Sequence, residues 1–179
     1  RQEPLATLRS VNPSLPMPAT SSRPATAMLL AAGRGERMRP LSDQTPKPML
    51  PVKGKPLMQW AMESMQRAGV RDLVVNTAWL GEQIPQHFGI SFDGAKESTL
   101  SDNPPLHMHY SQEGADFGEA LETAGGIIRA LPLLADVFWV AAGDVWMPDF
   151  LFSPEAYDRF QASKQLAHIW LVPNPAHNP

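Results

Sequence analysis

The chain has 179 residues, of which 43% are hydrophobic and 18% are charged, enough for one domain with a substantial core. Its formal net charge of −3 does not favour nucleic acid or an anionic membrane as a partner. The chain contains no cysteine, which excludes a disulfide or a thiolate metal site within it, and no apolar run approaches the roughly 20 residues of a membrane span. These bounds are typical of a cytoplasmic enzyme.

The first 24 residues differ in composition from the rest of the chain. They contain five prolines, show no periodicity and include no continuous apolar segment of the kind found in secretory signals. Such a stretch cannot bury enough apolar surface to order itself. We therefore predict a disordered Pro/Ser-rich extension over residues 1–24 and one folded domain over residues 25–179.

Short apolar segments alternate with segments of helical spacing after residue 24. The predicted strands cover residues 25–30, 72–76, 106–110, 138–142 and 167–172, with a surface loop at residues 90–105. The predicted helices cover residues 56–69, 80–88, 121–131 and 154–165, the second kinked at Pro85. This alternation predicts an α/β fold with a mostly parallel sheet. Ligands bind such sheets at the carboxyl ends of the strands, where residues 30–35, Asn76 and Asp144 lie.

Residues 29–48, the signature stretch, read LLAAGRGERMRPLSDQTPKP and leave the first strand through two glycines. Because Gly33 and Gly35 have no Cβ, successive backbone N–H groups can converge on an anion there. A P-loop is excluded because no Lys-Ser or Lys-Thr follows either glycine, and Met38 replaces the third glycine of a dinucleotide fingerprint. The pattern fits a polyphosphate site of another kind, with four cations in the same stretch: Arg34, Arg37, Arg39 and Lys47. The alternative is a surface turn with solvated arginines, which the glycines and the charge alone would favour.

Two places in the sequence could hold a metal ion. Asp144 follows the apolar strand FWVAA and Gly143, and Mg²⁺ prefers one or two carboxylates completed by phosphate oxygens and water. The alternative is that Asp144 only caps the following turn. His107 and His109 alternate with apolar residues, so we interpret them as the wetter face of a strand rather than as metal ligands.

The signature stretch resembles that of the sugar-1-phosphate nucleotidyltransferases, L-A-A-G-x-G-x-R-M-x-P-L-T followed by P-K-P, with Ser42 in place of the common threonine. The resemblance implies a nucleotide-diphospho-sugar transferase fold, that is, a Rossmann-like three-layer sandwich. It also implies nucleotidyl transfer to a sugar 1-phosphate with release of pyrophosphate. The matching positions are Leu30, Ala31, Ala32, Gly33, Gly35, Arg37, Met38, Pro40, Leu41, Pro46, Lys47 and Pro48.

The same resemblance implies roles for individual residues. Arg37 would hold the departing pyrophosphate, Lys47 the α-phosphate under attack, and Asp144 the Mg²⁺ ion. Arg34 and Arg39 occupy free positions of the pattern and are expected to be solvated. A second metal-binding aspartate would come from a portion beyond this chain, so the domain is expected to be truncated at its C-terminal end. The residues expected at the nucleotide are Leu30, Ala31, Ala32, Gly33 and Gly35.

A second clause resembles the part of the family that frames the nucleobase. Glu113 and the run LETAGG at residues 121–126 match it through Thr123 and Gly126, while Glu122 replaces the family's commoner glycine. Glu113 could accept N3–H of uracil or the N1–H and N2–H₂ donors of guanine, and it could also be a loop carboxylate. The residues that would line the acceptor sugar are Asn76, Trp79, Glu122 and Trp146, although both tryptophans could instead be core aromatics.

The remaining clauses resemble most the uridylyltransferases of peptidoglycan recycling. They are the PLxxxTPKP pattern, VNTAWLGEQI, LETAGGI and AAGDVW. We therefore predict UTP and a sugar 1-phosphate as partners, Mg²⁺ as cofactor, and neither nucleic acid nor membrane. A mannose-1-phosphate guanylyltransferase is the first alternative. A non-catalytic nucleotide-sugar binding module is the second, favoured by the missing second carboxylate.

Overall fold

The computed structural model describes residues 25–94 and 104–171, so the predicted extension over residues 1–24 lies outside it. Its centre is a five-stranded sheet with the strand order β5-β6-β4-β1-β7. β1, β4, β6 and β7 run parallel, whereas β5 pairs antiparallel with β6. The strands are β1 (Ala25–Leu30), β4 (Val70–Thr77), β5 (Ser91–Phe92), β6 (Leu106–Gln112) and β7 (Phe138–Ala142), and a separate hairpin joins β2 (Pro51–Val52) to β3 (Lys55–Pro56).

Helices cover both faces of this sheet, which confirms the predicted α/β fold with a mostly parallel sheet. They are α1 (Leu57–Arg67), α2 (Gln83–Phe88), α3 (Glu113–Phe117), α4 (Glu122–Ala130) and α5 (Pro154–Gln161). Short 3-10 helices lie at Glu36–Met38, Leu41–Asp43, Lys47–Met49 and Leu131–Leu133. None of the helices in the two described ranges combines the length and the hydropathy needed to cross a membrane.

Side chains at alternate positions of the parallel strands pack into two separate hydrophobic cores, one on each face of the sheet. One face carries Leu29 and Val75, which belong to a large cluster with α1, α2 and α5. The other face carries Met28 and Val74, which pack against Ala130 of α4. Because each fully buried side chain of this size stabilises the fold by about 1.5–3 kcal/mol, the strands are held from both sides in three layers.

The register of the sheet brings the carboxyl ends of its parallel strands to one level. Leu30 pairs with Asn76 of β4 on one side and with Ala142 of β7 on the other, and Asn76 pairs with Ser111 of β6. The backbone N–H of Gly143 then donates to the carbonyl of Leu30 at 2.8 Å. Residues that follow these four strands therefore surround one edge of the sheet.

The last predicted strand is absent from the described residues. Residues 167–171 have no strand structure, and Val172 lies outside the described range. The run is rich in β-forming residues, but a strand is stabilised by pairing with a neighbour, and propensity alone does not supply one. Trp170 instead packs its ring against Trp139 at a centroid distance of 5.1 Å, while Ile169 and Leu171 remain exposed.

Smaller differences concern the ends of elements. The helix predicted at residues 80–88 begins at Gln83, which puts Pro85 in its first turn, where proline is tolerated without a kink. The helix predicted from Pro56 begins at Leu57, and the one predicted at residues 154–165 ends at Gln161. The predicted loop at residues 90–105 contains β5 in its described part.

Candidate active site

The glycine loop, residues 31–35, leaves β1 at the carboxyl edge of the sheet. Gly35 adopts φ 66° and ψ 39°, a left-handed conformation that glycine takes without steric cost. A Cβ built on Gly35 would lie 2.8 Å from Cβ of Lys47, whereas one built on Gly33 would meet no atom within 4 Å. Both the left-handed turn and the close approach of Lys47 therefore require a glycine at position 35, whereas Gly33 leaves open space over the loop.

Gly35→Ala should destabilise the protein and displace Lys47. Alanine in a left-handed conformation costs about 1–2 kcal/mol, and the close contact between the two Cβ atoms adds to that cost. We expect thermal unfolding to show a lower midpoint than the wild type. Gly33→Ala is the matched control for stability, because its site has room for a methyl group, and an equal shift in both variants would contradict this interpretation.

Trp79 and Ser42 hold the end of the glycine loop through two hydrogen bonds. The Ser42 hydroxyl donates to the carbonyl of Gly35 at 2.8 Å, and the Trp79 indole N–H donates to the carbonyl of Ser42 at 2.9 Å. The Arg34 guanidinium lies 3.9 Å from the centre of the Trp79 ring, a cation–π geometry. Trp79, predicted to line the sugar, is therefore seen in contact with the loop, and its role at the sugar stays a prediction.

Arg34 and Arg39 were expected to be solvated, and both are partly exposed. Arg39 forms an ion pair with Asp43 at 2.9 Å, with 51% of its side chain exposed, so this pair contributes little stability. Arg37 is exposed in the 3-10 helix Glu36–Met38. No ion pair to Arg37 occurs within residues 25–94 and 104–171, so the guanidinium fork remains available to an anion.

Lys47 and Asp144 meet although they are 97 residues apart in the chain. The Lys47 ammonium donates to Asp144 Oδ2 at 2.7 Å, with side-chain exposures of 24% and 39%. Lys47 begins the 3-10 helix Lys47–Met49, and Asp144 follows the end of β7 by two residues. The sheet thus brings together two of the three predicted catalytic residues beside the glycine loop.

Asp144 suits a magnesium ion by its chemistry. It is a partly exposed carboxylate at the edge where the glycine loop leaves room for an anion, and Mg²⁺ takes one or two carboxylates together with phosphate oxygens and water. Groups of three or more metal-ligating side chains do not occur in the described part of the chain. His107 and His109 both face Asp72, at 3.6 and 3.0 Å, as expected of the wetter face of a strand.

A buried polar network, not predicted from the sequence, joins four segments at the same edge. The backbone N–H of Ala31 donates to Asn76 Oδ1, Asn76 Nδ2 donates to Glu113 Oε1, and the backbone N–H of Leu121 donates to Glu113 Oε2, each at 2.8 Å. The Glu113 side chain is completely buried. The network therefore ties the glycine loop to the ends of β4 and β6 and to the start of α4.

Gly126 makes room for this network. A Cβ at Gly126 would lie 2.7 Å from Glu113 Oε1 and 2.8 Å from Asn76 Nδ2. A glycine inside a helix weakens it, so its place in α4 is explained by this close approach. Base contact by Glu113 and Gly126 and sugar contact by Asn76 stay predictions, whereas their contacts with one another are structural. The only signals of this network in the sequence were a polar residue at the end of each strand and a glycine within a helix.

The start of α4 presents exposed residues of the predicted base-binding clause. Glu122 and Thr123 are exposed, and Glu122 has φ 58°, a left-handed conformation that is uncommon outside glycine. The resemblance puts a glycine at this position in other members of the family, and the backbone conformation gives the physical reason. Strained residues of this kind cluster at functional sites.

The family model described as "Nucleotidyl transferase" matches residues 26–179. An N-acetylmuramate alpha-1-phosphate uridylyltransferase of Neisseria meningitidis serogroup B is 47% identical over 159 residues, covering 86% of this chain and 61% of that protein. The protein of the same name from Caulobacter vibrioides is 34% identical over 129 residues, 71% of this chain and 49% of that one.

Solved structures give the same fold at lower identity. A UDP-glucose pyrophosphorylase complexed with UDP-glucose superposes with a TM-score of 0.57 at 21% identity, covering 78% of this chain and 54% of that one. At that identity the likeness concerns the fold alone, and it confirms the predicted Rossmann-like sandwich with a mostly parallel sheet. The chain spans less than two thirds of the length of the Neisseria and Caulobacter relatives.

Proposed function

We propose that this chain, which belongs to the nucleotidyl transferase family, catalyses the uridylyl transfer from UTP to N-acetylmuramate 1-phosphate in peptidoglycan recycling. The observation that carries the proposal is the meeting of Lys47 and Asp144 beside an open glycine loop. The name of the 47% identical Neisseria relative supports uridine as the nucleoside and N-acetylmuramate as the sugar.

The reaction is an in-line displacement at phosphorus. A phosphate oxygen of the sugar 1-phosphate forms a bond to the α-phosphorus of UTP, the bond from that phosphorus to the β-bridging oxygen breaks, and pyrophosphate leaves with the electron pair. No protein nucleophile is needed because the attacking phosphate is already anionic. Catalysis then consists of positioning and charge neutralisation.

Each basic group has its own part in this proposal. Lys47 turns from Asp144 to the α-phosphate when the nucleotide binds, while Arg37 holds the departing pyrophosphate through its fork. Backbone N–H groups of the glycine loop contact the phosphates. Asp144 and phosphate oxygens would hold Mg²⁺, which when bound neutralises charge on the triphosphate. The base would lie against the LETAGG run at residues 121–126.

A pyrophosphate-release assay with Mg²⁺ tests the proposal, using the protein as its gene encodes it. UTP and GTP are each combined with N-acetylmuramate, N-acetylglucosamine, glucose and mannose 1-phosphates. We expect release with UTP and N-acetylmuramate 1-phosphate. Release with GTP and mannose 1-phosphate alone would replace the proposal with a guanylyltransferase. Nucleotide binding without release for any pair would point to a non-catalytic binding module.

A further inference from the structure

An exposed tryptophan and a lysine lie next to the candidate active site. Trp146 follows Asp144 by two residues, which keeps their Cα atoms within about 7 Å. Trp146 is 46% exposed, and its ring packs edge-to-face on Trp60 of α1 at a centroid distance of 6.4 Å. Lys53 Nζ lies over the Trp146 ring, 4.8 Å from its centre. An aromatic face and a cation are thus exposed together beside the predicted metal-binding carboxylate.

The positive charge of Lys53 is not neutralised by any carboxylate of residues 25–94 and 104–171. The neighbouring Lys55 provides a contrast, because its ammonium pairs with Glu63 at 2.5 Å while it also lies over the Trp60 ring. The charge of Lys55 is therefore neutralised by an ion pair within the fold. Lys53, on the same hairpin, can bind an anion from outside the chain.

The backbone at Lys53 does not favour a lysine. Lys53 has φ 50° and Gly54 has φ 87°, and they form the two-residue turn between Val52 and Lys55. Two successive residues with positive φ define a turn in which Asn-Gly is strongly preferred. A lysine in this conformation carries a steric cost, and strained residues of this kind are found at ligand-binding sites. The turn itself therefore gives no reason for lysine.

We propose that Lys53 and Trp146 form an acceptor subsite for a carboxylate that the sugar itself carries, so that the protein selects acidic sugar 1-phosphates. The inference rests on the proposed function and deepens it. N-acetylmuramate differs from N-acetylglucosamine by a lactyl ether that bears one carboxylate. The apolar face of a sugar ring packs on an exposed indole, and the lysine supplies a point charge for the carboxylate.

Lys53→Asn separates charge recognition from folding. Asparagine suits the turn, so the variant should unfold at a temperature no lower than the wild type. Initial rates are measured with UTP and either N-acetylmuramate 1-phosphate or N-acetylglucosamine 1-phosphate. We expect kcat/KM for the acidic sugar to fall about fivefold, mainly through KM, as for loss of a solvent-accessible ion pair. For the neutral sugar it should stay within about twofold.

Two matched variants complete the experiment. Lys53→Arg keeps the charge and should restore the preference for the acidic sugar. Lys164→Asn removes the same charge from an exposed position after α5 and should leave the preference unchanged. Equal effects of Lys53→Asn on both sugars, or no effect on either, would overturn the subsite while leaving uridylyl transfer intact. Absence of release with every sugar 1-phosphate would overturn the proposed function and, with it, this assignment.

Discussion

Asp144→Asn should lower the rate of pyrophosphate release at least about 100-fold, equivalent to about 3 kcal/mol of transition-state stabilisation. Asparagine has the same shape but lacks the charge needed to hold a metal ion and to orient Lys47. The fold should be little affected, because the ion pair between Lys47 and Asp144 is partly exposed and such pairs contribute at most about 1 kcal/mol. Steady-state kinetics with UTP, together with a thermal melt, measures both quantities.

Asp149→Asn is the matched control for that experiment. Asp149 is an exposed carboxylate in the same segment, outside the proposed site, and its loss changes the net charge by the same amount. We expect this variant to retain wild-type rates. Asp144→Asn with a rate within about threefold of the wild type would show that Asp144 only caps the turn after β7, the alternative left open by the sequence.

Glu113→Ala should cause the largest loss of stability among the substitutions considered. The change removes the acceptor of two donors, the buried Asn76 Nδ2 and the part-buried backbone N–H of Leu121. Because unpaired buried donors keep their full desolvation cost, the free energy of unfolding should fall by about 3 kcal/mol. For a domain of this size the midpoint of thermal unfolding then drops by about 6–12 °C.

Two further variants show whether the hydrogen bonds cause this loss. Glu119→Ala removes an exposed carboxylate from the same connection and should change the midpoint little. Glu113→Gln keeps the size of the side chain but turns one acceptor into a donor, facing a donor, so it should recover only part of the stability. A midpoint for Glu113→Ala equal to that of Glu119→Ala would refute the structural importance of the network.

Local features of the fold were predictable from the sequence because their causes are local. The first strand was predicted with the correct ends since an apolar run stops at glycines that a strand does not tolerate. The family was predicted from the signature stretch and is confirmed by the match over residues 26–179. The place of Asp144 at the edge of the sheet, beside Lys47, was predictable because the carboxyl end of a buried parallel strand lies at the ligand-binding edge, whereas its role at a metal ion stays a prediction.

Features that depend on the packing of distant segments were not predictable. Neither the bonds of Glu113 nor the place of Gly126 follows from spacing, since both require the register of β4 against β6 and the approach of α4. The same limit explains why the strand predicted at residues 167–172 is absent over its described part, residues 167–171. Its residues suit a strand, but the sequence does not reveal whether an adjacent strand is available to pair with them.

The position of β1 between two partner strands governs when the anion site can form during synthesis. β1 pairs with β4 on one side and β7 on the other, so one of its edges has no partner until residues 138–142 have been made. The carboxylate that pairs with Lys47 lies 97 residues later in the chain, so it is synthesised about 5–20 s after Lys47 at ordinary rates of translation. A nascent chain on the ribosome therefore contains the basic glycine loop for seconds before it contains Asp144, which completes the proposed site.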